Sequence, residues 1–506
     1  MTDGTVISGS GFSKDDHSGQ DWWIGVFLFL GITLFLLAFL KPGIWGFDGN
    51  DMLNVSKSLV LEGNFSIPEG SGGALGQDGQ YYSIRYPLLP ILATPFVFIG
   101  LFLGDWLNLP THYTAAVCAL VVSVLLTGYC TAMVFFLSRR LGARREGAFV
   151  AALCYAFGTT ALVYSREFFA EPLLSALTAT SLYLALGKSW KAHIGASTLA
   201  ALVITAKPAG VVVGPAIAFY FLVKRYPLYR VVMPFLGTCV GMMFYFAYNY
   251  MRFGDIFSSG QDASRFTLDG LAGRFIGLVL SPGAGGGLFW YCPPTILAII
   301  GLWKLWKHKG FADAVAVAGV FSGFWILHSF WEFGGWSWGP RFLVPALPGL
   351  MAVTGLLDAR GRRWLIGLTC VGFLVNAPSL ITFYQRYYAE AADAGRIVQA
   401  LSLWGYWGDA PLFNVWGATF RQVSIAMTTD VSTVLQSAGQ PPDLGNLSSS
   451  DLLQIMAVWW WVLPAAGIPI AVGVVFALLL VAAGLWCFWH GWRLVKVQAT
   501  APSQAV

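Results

Sequence analysis

Long apolar runs constrain this chain more than any other feature. Stretches of about 20 residues with almost no charge recur from residue 23 to residue 489. Such a run satisfies its backbone polar groups only by closing into a helix, within hydrocarbon or against other helices. The balance of residue types agrees. Of 506 residues 57% are hydrophobic and 11% charged, against about 25% charge in an ordinary soluble domain. The expectation is an all-α polytopic membrane protein with about twelve crossings: 23–40, 113–137, 147–164, 171–187, 193–206, 209–223, 231–249, 288–303, 311–330, 342–357, 364–382 and 459–489.

The segment 86–104 is apolar enough to cross but carries Pro87, Pro90 and Pro95, which interrupt helical hydrogen bonding. It reads as a piece lying in, or dipping into, the interface. With both termini inside and 86–104 not crossing, most of the 30 Lys and Arg fall on the inner side, as retained basic residues should. An outside N-terminus with 86–104 crossing satisfies the charge rule equally. The three prolines, and a shared face for the polar stretches described next, favour the first arrangement. The chain then divides into an inner tail (1–22), a membrane module (23–383) with a large outer loop (41–112), an outer loop or small cap (384–457), and a last crossing with its tail (458–506). Trp459, Trp460 and Trp461 mark the interface where that crossing begins.

The net charge of +5 is accounted for by the inner basic loops and points to no nucleic-acid partner. The seven cysteines are scattered, mostly within apolar runs, and show neither metal spacing nor an even disulfide count. Neither internal repeats nor inverted halves are visible, which disfavours a transporter.

Polar residues concentrate in five places. Asp48 and Asp51 follow the first crossing, in turn-forming FDGND, ahead of a short helix over Met52–Glu62. A carboxylate beside the membrane suits a general base, and an exposed turn is the plainer alternative. DGQYYSIRY brings Tyr81, Tyr82 and Arg85. YSREFFAEP holds Arg166, Glu167 and Glu171 between two crossings, where charges are costly and are either functional or paired, as Arg166 with Glu171. Lys207-Pro208 interrupts an apolar stretch; its ammonium suits lipid headgroups or a phosphate. WEFGGWSWGPRF supplies Glu332, Trp336, Trp338 and Arg341: ring faces, small residues and a guanidinium for an anionic oxygen. The Gly-rich SPGAGGGLFWYCPP lacks Walker spacing and reads as a tight turn rather than a nucleotide cradle.

The order of these stretches resembles the GT-C membrane glycosyltransferases that use polyprenyl-phosphate sugars, in particular the bacterial relatives of protein O-mannosyltransferases and of lipid A aminoarabinose transferases. The likeness covers roughly residues 45–350. It rests on an Asp in the first outer loop followed by a helix ending Leu59-x-x-x-Gly63, then DGQYYSIRYPLLP, YSREFFAEP, Lys207-Pro208, and NYMRFGD with LSPGAGGGLFWYCPP and GGWSWGPRFLVPALP. The family's Asp-Glu pair is here Asp48-Gly49, and Arg85-Tyr86-Pro87 stands where many relatives have Lys-Pro-Pro.

The resemblance implies a GT-C bundle with juxtamembrane helices in its first outer loop, in a bacterial cytoplasmic membrane, its site facing outward. It implies an inverting transfer of one sugar from a polyprenyl-phosphate donor to the hydroxyl of a protein, lipid or polysaccharide. Asp48, or Asp51, would be the base. Arg85, Lys207 and Arg341 would hold the donor phosphate, and Tyr81, Tyr82, Arg166, Glu167, Glu171, Glu332, Trp336 and Trp338 would surround the substrates. No cofactor is required by this chemistry; a divalent ion on the outer acids is left open. The rival reading is a flippase for a lipid-linked saccharide, which needs the cations but not Asp48.

Overall fold

The computed structural model describes residues 16–332, 335–405, 407–437 and 454–496. Most of the inner tail, part of the cap and the C-terminal tail lie outside them. Helix α1, Asp16–Ala38, starts several residues before the expected crossing. It packs along α4, Thr111–Arg140, a proline-free helix rich in Ala, Val and Leu. Gly128 of α4 lies against Phe29 and Thr33 of α1, so small residues set how closely the two approach. Arg139 and Arg145 both pair with Asp21 at the start of α1 (2.9 and 2.5 Å), which fixes that end as the basic one. The final helix, Ile470–Lys496, closes on the other side of α1, with Gly484 against the backbone of Gly31.

Between α1 and α4 stand α2, Phe47–Leu61, and α3, Leu88–Leu107. The prolines of 86–104 do not break α3. Pro87 caps it, Pro90 sits in its first turn where no N–H is needed, and only Pro95 lies inside. At 20 apolar residues α3 is long enough to cross a membrane. Gly100 and Gly104 of α3 rest on Thr111–Ala115 of α4, so the two helices form a close antiparallel hairpin about the turn at Asn108.

The loop between α2 and α3 holds a feature the all-α expectation lacked, a small antiparallel sheet. Its strands are β1 Ser66–Ile67, β2 Ala74–Leu75 and β3 Tyr81–Tyr82, in the order β1-β3-β2. Ser66 and Ala74 both face Tyr82 in register.

Beyond α4 the chain forms α5, Arg145–Gly158; α6, Ala161–Tyr164; α7, Ala170–Ala185; α8, Trp190–Ala206; α9, Val213–Val223; and α10, Leu228–Phe253. Several expected crossings are broken helices. Thr159 and Thr160 separate α5 from α6 within 147–164, and a 3-10 turn over Pro293–Leu297 interrupts 288–303, while the break expected at Lys207-Pro208 is a 3-10 turn over Pro208–Val212 between α8 and α9. Among the described residues six helices are long and apolar enough to span a membrane; the count of twelve depends on joining the shorter pieces. The chain is an integral membrane protein on this pattern of long apolar helices, many of whose aliphatic and aromatic side chains face outward. Of the cap, Gln385–Asp393 and Pro411–Ala426 are helical.

Candidate active site

Asp48 is not in a turn. Gly46, at φ 107°, lets the chain enter α2 five residues before the expected start, which puts Asp48 in the first helical turn. A negative side chain there is favoured by the unpaired N–H groups of the helix end. Asp51 follows at i+3, on the same side of the helix. α2 ends where Leu59-x-x-x-Gly63 placed its stop: Gly63 adopts φ 70° and donates to the Ser58 carbonyl at 2.9 Å.

Three cations from distant parts of the chain converge on two carboxylates. Arg85 Nη2 donates to Asp48 Oδ1 at 2.5 Å, and Arg341 Nη1 to Asp48 Oδ2 at 3.0 Å. Arg341 Nε donates to Glu171 Oε1 at 2.9 Å, as does Lys207 Nζ. Aromatic rings brace this set. The Arg341 guanidinium lies over Phe169 at 3.8 Å, Lys207 over Phe342 at 4.5 Å, and His328 stacks on the same Phe342 ring at 4.7 Å. The local folding puts each group there: Lys207 caps α8 at the break before Pro208, Glu171 opens α7, and Arg341 starts a 3-10 turn after Pro340.

The cluster grades from inside to outside. Glu171 is 1% exposed, whereas Asp48 is 23% and Arg85 28% exposed. A ligand would therefore meet Asp48 and Arg85 first. Arg85, Lys207 and Arg341 face Asp48 and Glu171, and Asp51 adds a third carboxyl beside them. Several polar atoms are buried without a hydrogen-bond partner here: Arg85 Nε, Glu171 Oε2, Asp51 Oδ1 and Asn50 Oδ1. Unsatisfied buried groups of this kind are tolerated where a ligand completes them.

The two aspartates differ in proton affinity. Burial pushes Asp48 up, but the Arg341 and Arg85 guanidiniums outweigh it and hold the carboxyl below its usual range. Asp51 is 2% exposed and has Ser83 Oγ at 3.1 Å. Burial dominates there and raises it to about 6, against the lowering by the Ser83 hydrogen bond and Arg85. Asp48 is a fixed anion; Asp51 is poised to exchange a proton near neutrality.

Other expected site residues sit elsewhere. Arg166 does not pair with Glu171. It is fully buried and donates to the carbonyls of Phe39 and Ala457, while Glu167 binds Lys41 and, at 3.3 Å, Gln385. These two tie the end of α1 to the C-terminal region, so their role is structural. Trp338 is a core residue: its indole N–H donates to Asn376 Oδ1 at 2.8 Å, and its backbone binds the Tyr164 hydroxyl. Trp336 stacks on Tyr388 at 5.8 Å. Tyr81 and Tyr82 are engaged by Glu69 (2.9 Å) and Asp78 (2.7 Å) of their own loop. Glu332 is exposed, and its backbone N–H donates to the Arg265 carbonyl at 2.7 Å. The Gly-rich turn is a packing device, with Gly283 and Gly286 against Leu403. Ser83, Phe169 and Phe342 went unread because their types are ordinary in a membrane chain. Their adjacency to Arg85, Glu171 and Arg341 was the available signal. Among the described residues no three His, Cys, Asp or Glu come together as a metal would require.

What the fold and site define is a polytopic α-helical membrane protein with a cationic, carboxylate-bearing centre at the end of the bundle remote from Asp21. Compared with solved structures, it is similar to ArnT from Cupriavidus metallidurans in the apo state, with a TM-score of 0.49 and 15% identity over 93% of this chain and 78% of that one. It is also similar to the same protein bound to undecaprenyl phosphate, with a TM-score of 0.47, 15% identity and coverage of 92% and 78%. The archaeal oligosaccharyltransferase AglB from Archaeoglobus fulgidus, in complex with an inhibitory peptide and a dolichol-phosphate, gives a TM-score of 0.48 and 11% identity over 80% of this chain and 64% of that one. No family model and no curated protein matches the chain.

Proposed function

We propose that the protein is a GT-C-type membrane glycosyltransferase that moves a sugar from a polyprenyl-phosphate donor to an acceptor hydroxyl. The observation that carries this reading is the convergence of Arg85, Lys207 and Arg341, from distant parts of the chain, around Asp48 and Glu171. A sugar-linked polyprenyl phosphodiester brings the anionic oxygens such a set of donors suits. The planar guanidiniums of Arg85 and Arg341 suit phosphate oxygens, and the Lys207 ammonium adds a point charge.

In the proposed transfer Asp51 accepts the proton of the acceptor O–H while its oxygen attacks the anomeric carbon. The bond from that carbon to the phosphate oxygen breaks, and its electron pair leaves on the phosphate. The departing monoester gains a second negative charge, which the fixed cations stabilise more strongly than they do the diester. Attack opposite the phosphate inverts the anomeric configuration. Asp48 keeps Arg85 and Arg341 in place rather than acting as the base. The outer face of a bacterial cytoplasmic membrane is the proposed location, and protein, lipid and polysaccharide hydroxyls are the acceptor classes.

The test is transfer of radiolabel from polyprenyl-phosphate sugars to membrane acceptors by purified protein. Wild type should transfer, and Asp51→Asn should lose at least about a hundredfold in rate. Movement of intact donor across vesicles, equal in wild type and Asp51→Asn and without transfer, would establish the flippase instead.

A further inference from the structure

Arg252, at the end of α10, is 0% exposed, yet among the described residues it forms no ion pair. An unpaired buried guanidinium is expensive unless its N–H groups are used. Here they are used on backbone. Nη1 donates to the Ser83 carbonyl and to that of Arg85 (3.3 Å), Nη2 to Asn249 Oδ1 (2.8 Å), and Nε to the Tyr248 carbonyl (3.3 Å). The guanidinium is further held over the Tyr248 ring at 3.9 Å. The carbonyl between those two, Ile84, accepts from Gln261 Nε2 at 3.0 Å. Three consecutive carbonyls are thus each bound by a side chain from α10 or the loop after it. The hairpin between β2 and β3 leans on the same helix end. Gln77 N–H donates to the Arg252 carbonyl at 3.1 Å, and a Cβ at Gly76 would come within 2.7 Å of that oxygen.

The clamped tripeptide carries both groups that act on the aspartates: Ser83 Oγ on Asp51 and Arg85 Nη2 on Asp48. We infer that Arg252 and Gln261 are positioning residues, which set where Ser83 and Arg85 stand and so couple the end of α10 to donor binding. The inference takes its functional part from the transfer reading above; the clamp itself does not depend on it.

Two measurements separate the claims. Hydrogen exchange across residues 81–86 should rise in Arg252→Lys and Gln261→Ala, because a lysine has one nitrogen where the guanidinium uses three to hold Asn249, the Tyr248 carbonyl and the two loop carbonyls at once. Unchanged exchange in both variants would overturn the clamp, whatever the protein's activity. Affinity for undecaprenyl phosphate in detergent should fall about tenfold, some 1.4 kcal/mol, in Arg252→Lys and in Arg85→Gln, with no further loss in the double variant. Independent, additive losses would show that Arg252 does not act through Arg85. Raised exchange in a wild-type background that binds no undecaprenyl phosphate would keep the clamp but overturn both its coupling to the donor and the transfer reading.

Discussion

Asp48 and Asp51 stand one helical turn apart and are driven in opposite directions. Asp51 rises to about 6 through burial, so its carboxylate form is disfavoured in the fold. From 3.8 to about 6 corresponds to roughly 3 kcal/mol. A raised carboxyl favours the folded state fully below its unfolded pKa, and that advantage is lost as pH rises through 6. Asp51→Asn should therefore raise the thermal midpoint in detergent at pH 8 but not at pH 4. A midpoint unchanged at pH 8 would mean that Asp51 is not a buried charge there. Transfer by wild type should fall about tenfold per unit below pH 6 as Asp51 takes up its proton, and a rate flat to pH 4 would remove Asp51 as the base. Asp48 has the reverse sign: its pairs with Arg341 and Arg85 stabilise the fold above its unfolded pKa and fade on acidification. At the other buried pair, Lys41 is lowered to about 8, by burial first, against the pull of Glu167. Lys41→Met would leave Glu167 buried and unpaired, a loss of about 3–5 kcal/mol. The double variant with Glu167→Gln should recover most of it, which denaturation of the three proteins side by side would test.

At the scale of elements, the chain legible in advance and the chain observed part company at the helix ends. Hydrophobic runs located α1, α4, α10 and the final helix because burial in hydrocarbon imposes a long uninterrupted signal. The same signal overstated continuity around Thr159, where the helix breaks, whereas the break at Pro208 was read in advance from Lys207-Pro208. Proline content suggested that 86–104 was irregular, yet two of its three prolines occupy helix-start positions that tolerate them. The charge pattern and the polar stretches favour a path in which it does not cross. Single cysteines at Asn108 and Gly63, in a cysteine-free background, should thus react with an impermeant maleimide from one side of the membrane, and one at Lys309 from the other. Labelling of Asn108 and Lys309 from the same side would contradict this arrangement.

In the molecule as a whole, the fold brings together residues that lie far apart in the chain: Arg85 and Arg341 on Asp48, and Lys207 and Arg341 on Glu171. Arg166, Glu167 and Trp338 come from the same stretches but turn into the core, where Phe39, Ala457, Lys41 and Asn376 receive them. Neighbours in sequence divide between site and scaffold according to which way a helix end faces, and no local pattern encodes that. The carbonyl clamp of Arg252 was hidden for the same reason, since its partners lie at Ser83 and Arg85. If the three cations hold a lipid phosphate, as proposed, the affinity of purified protein for undecaprenyl phosphate should fall about tenfold or more in Arg341→Gln relative to wild type, and wild-type binding should weaken as salt is raised. Equal affinity in wild type and Arg341→Gln, with both proteins folded, would contradict it.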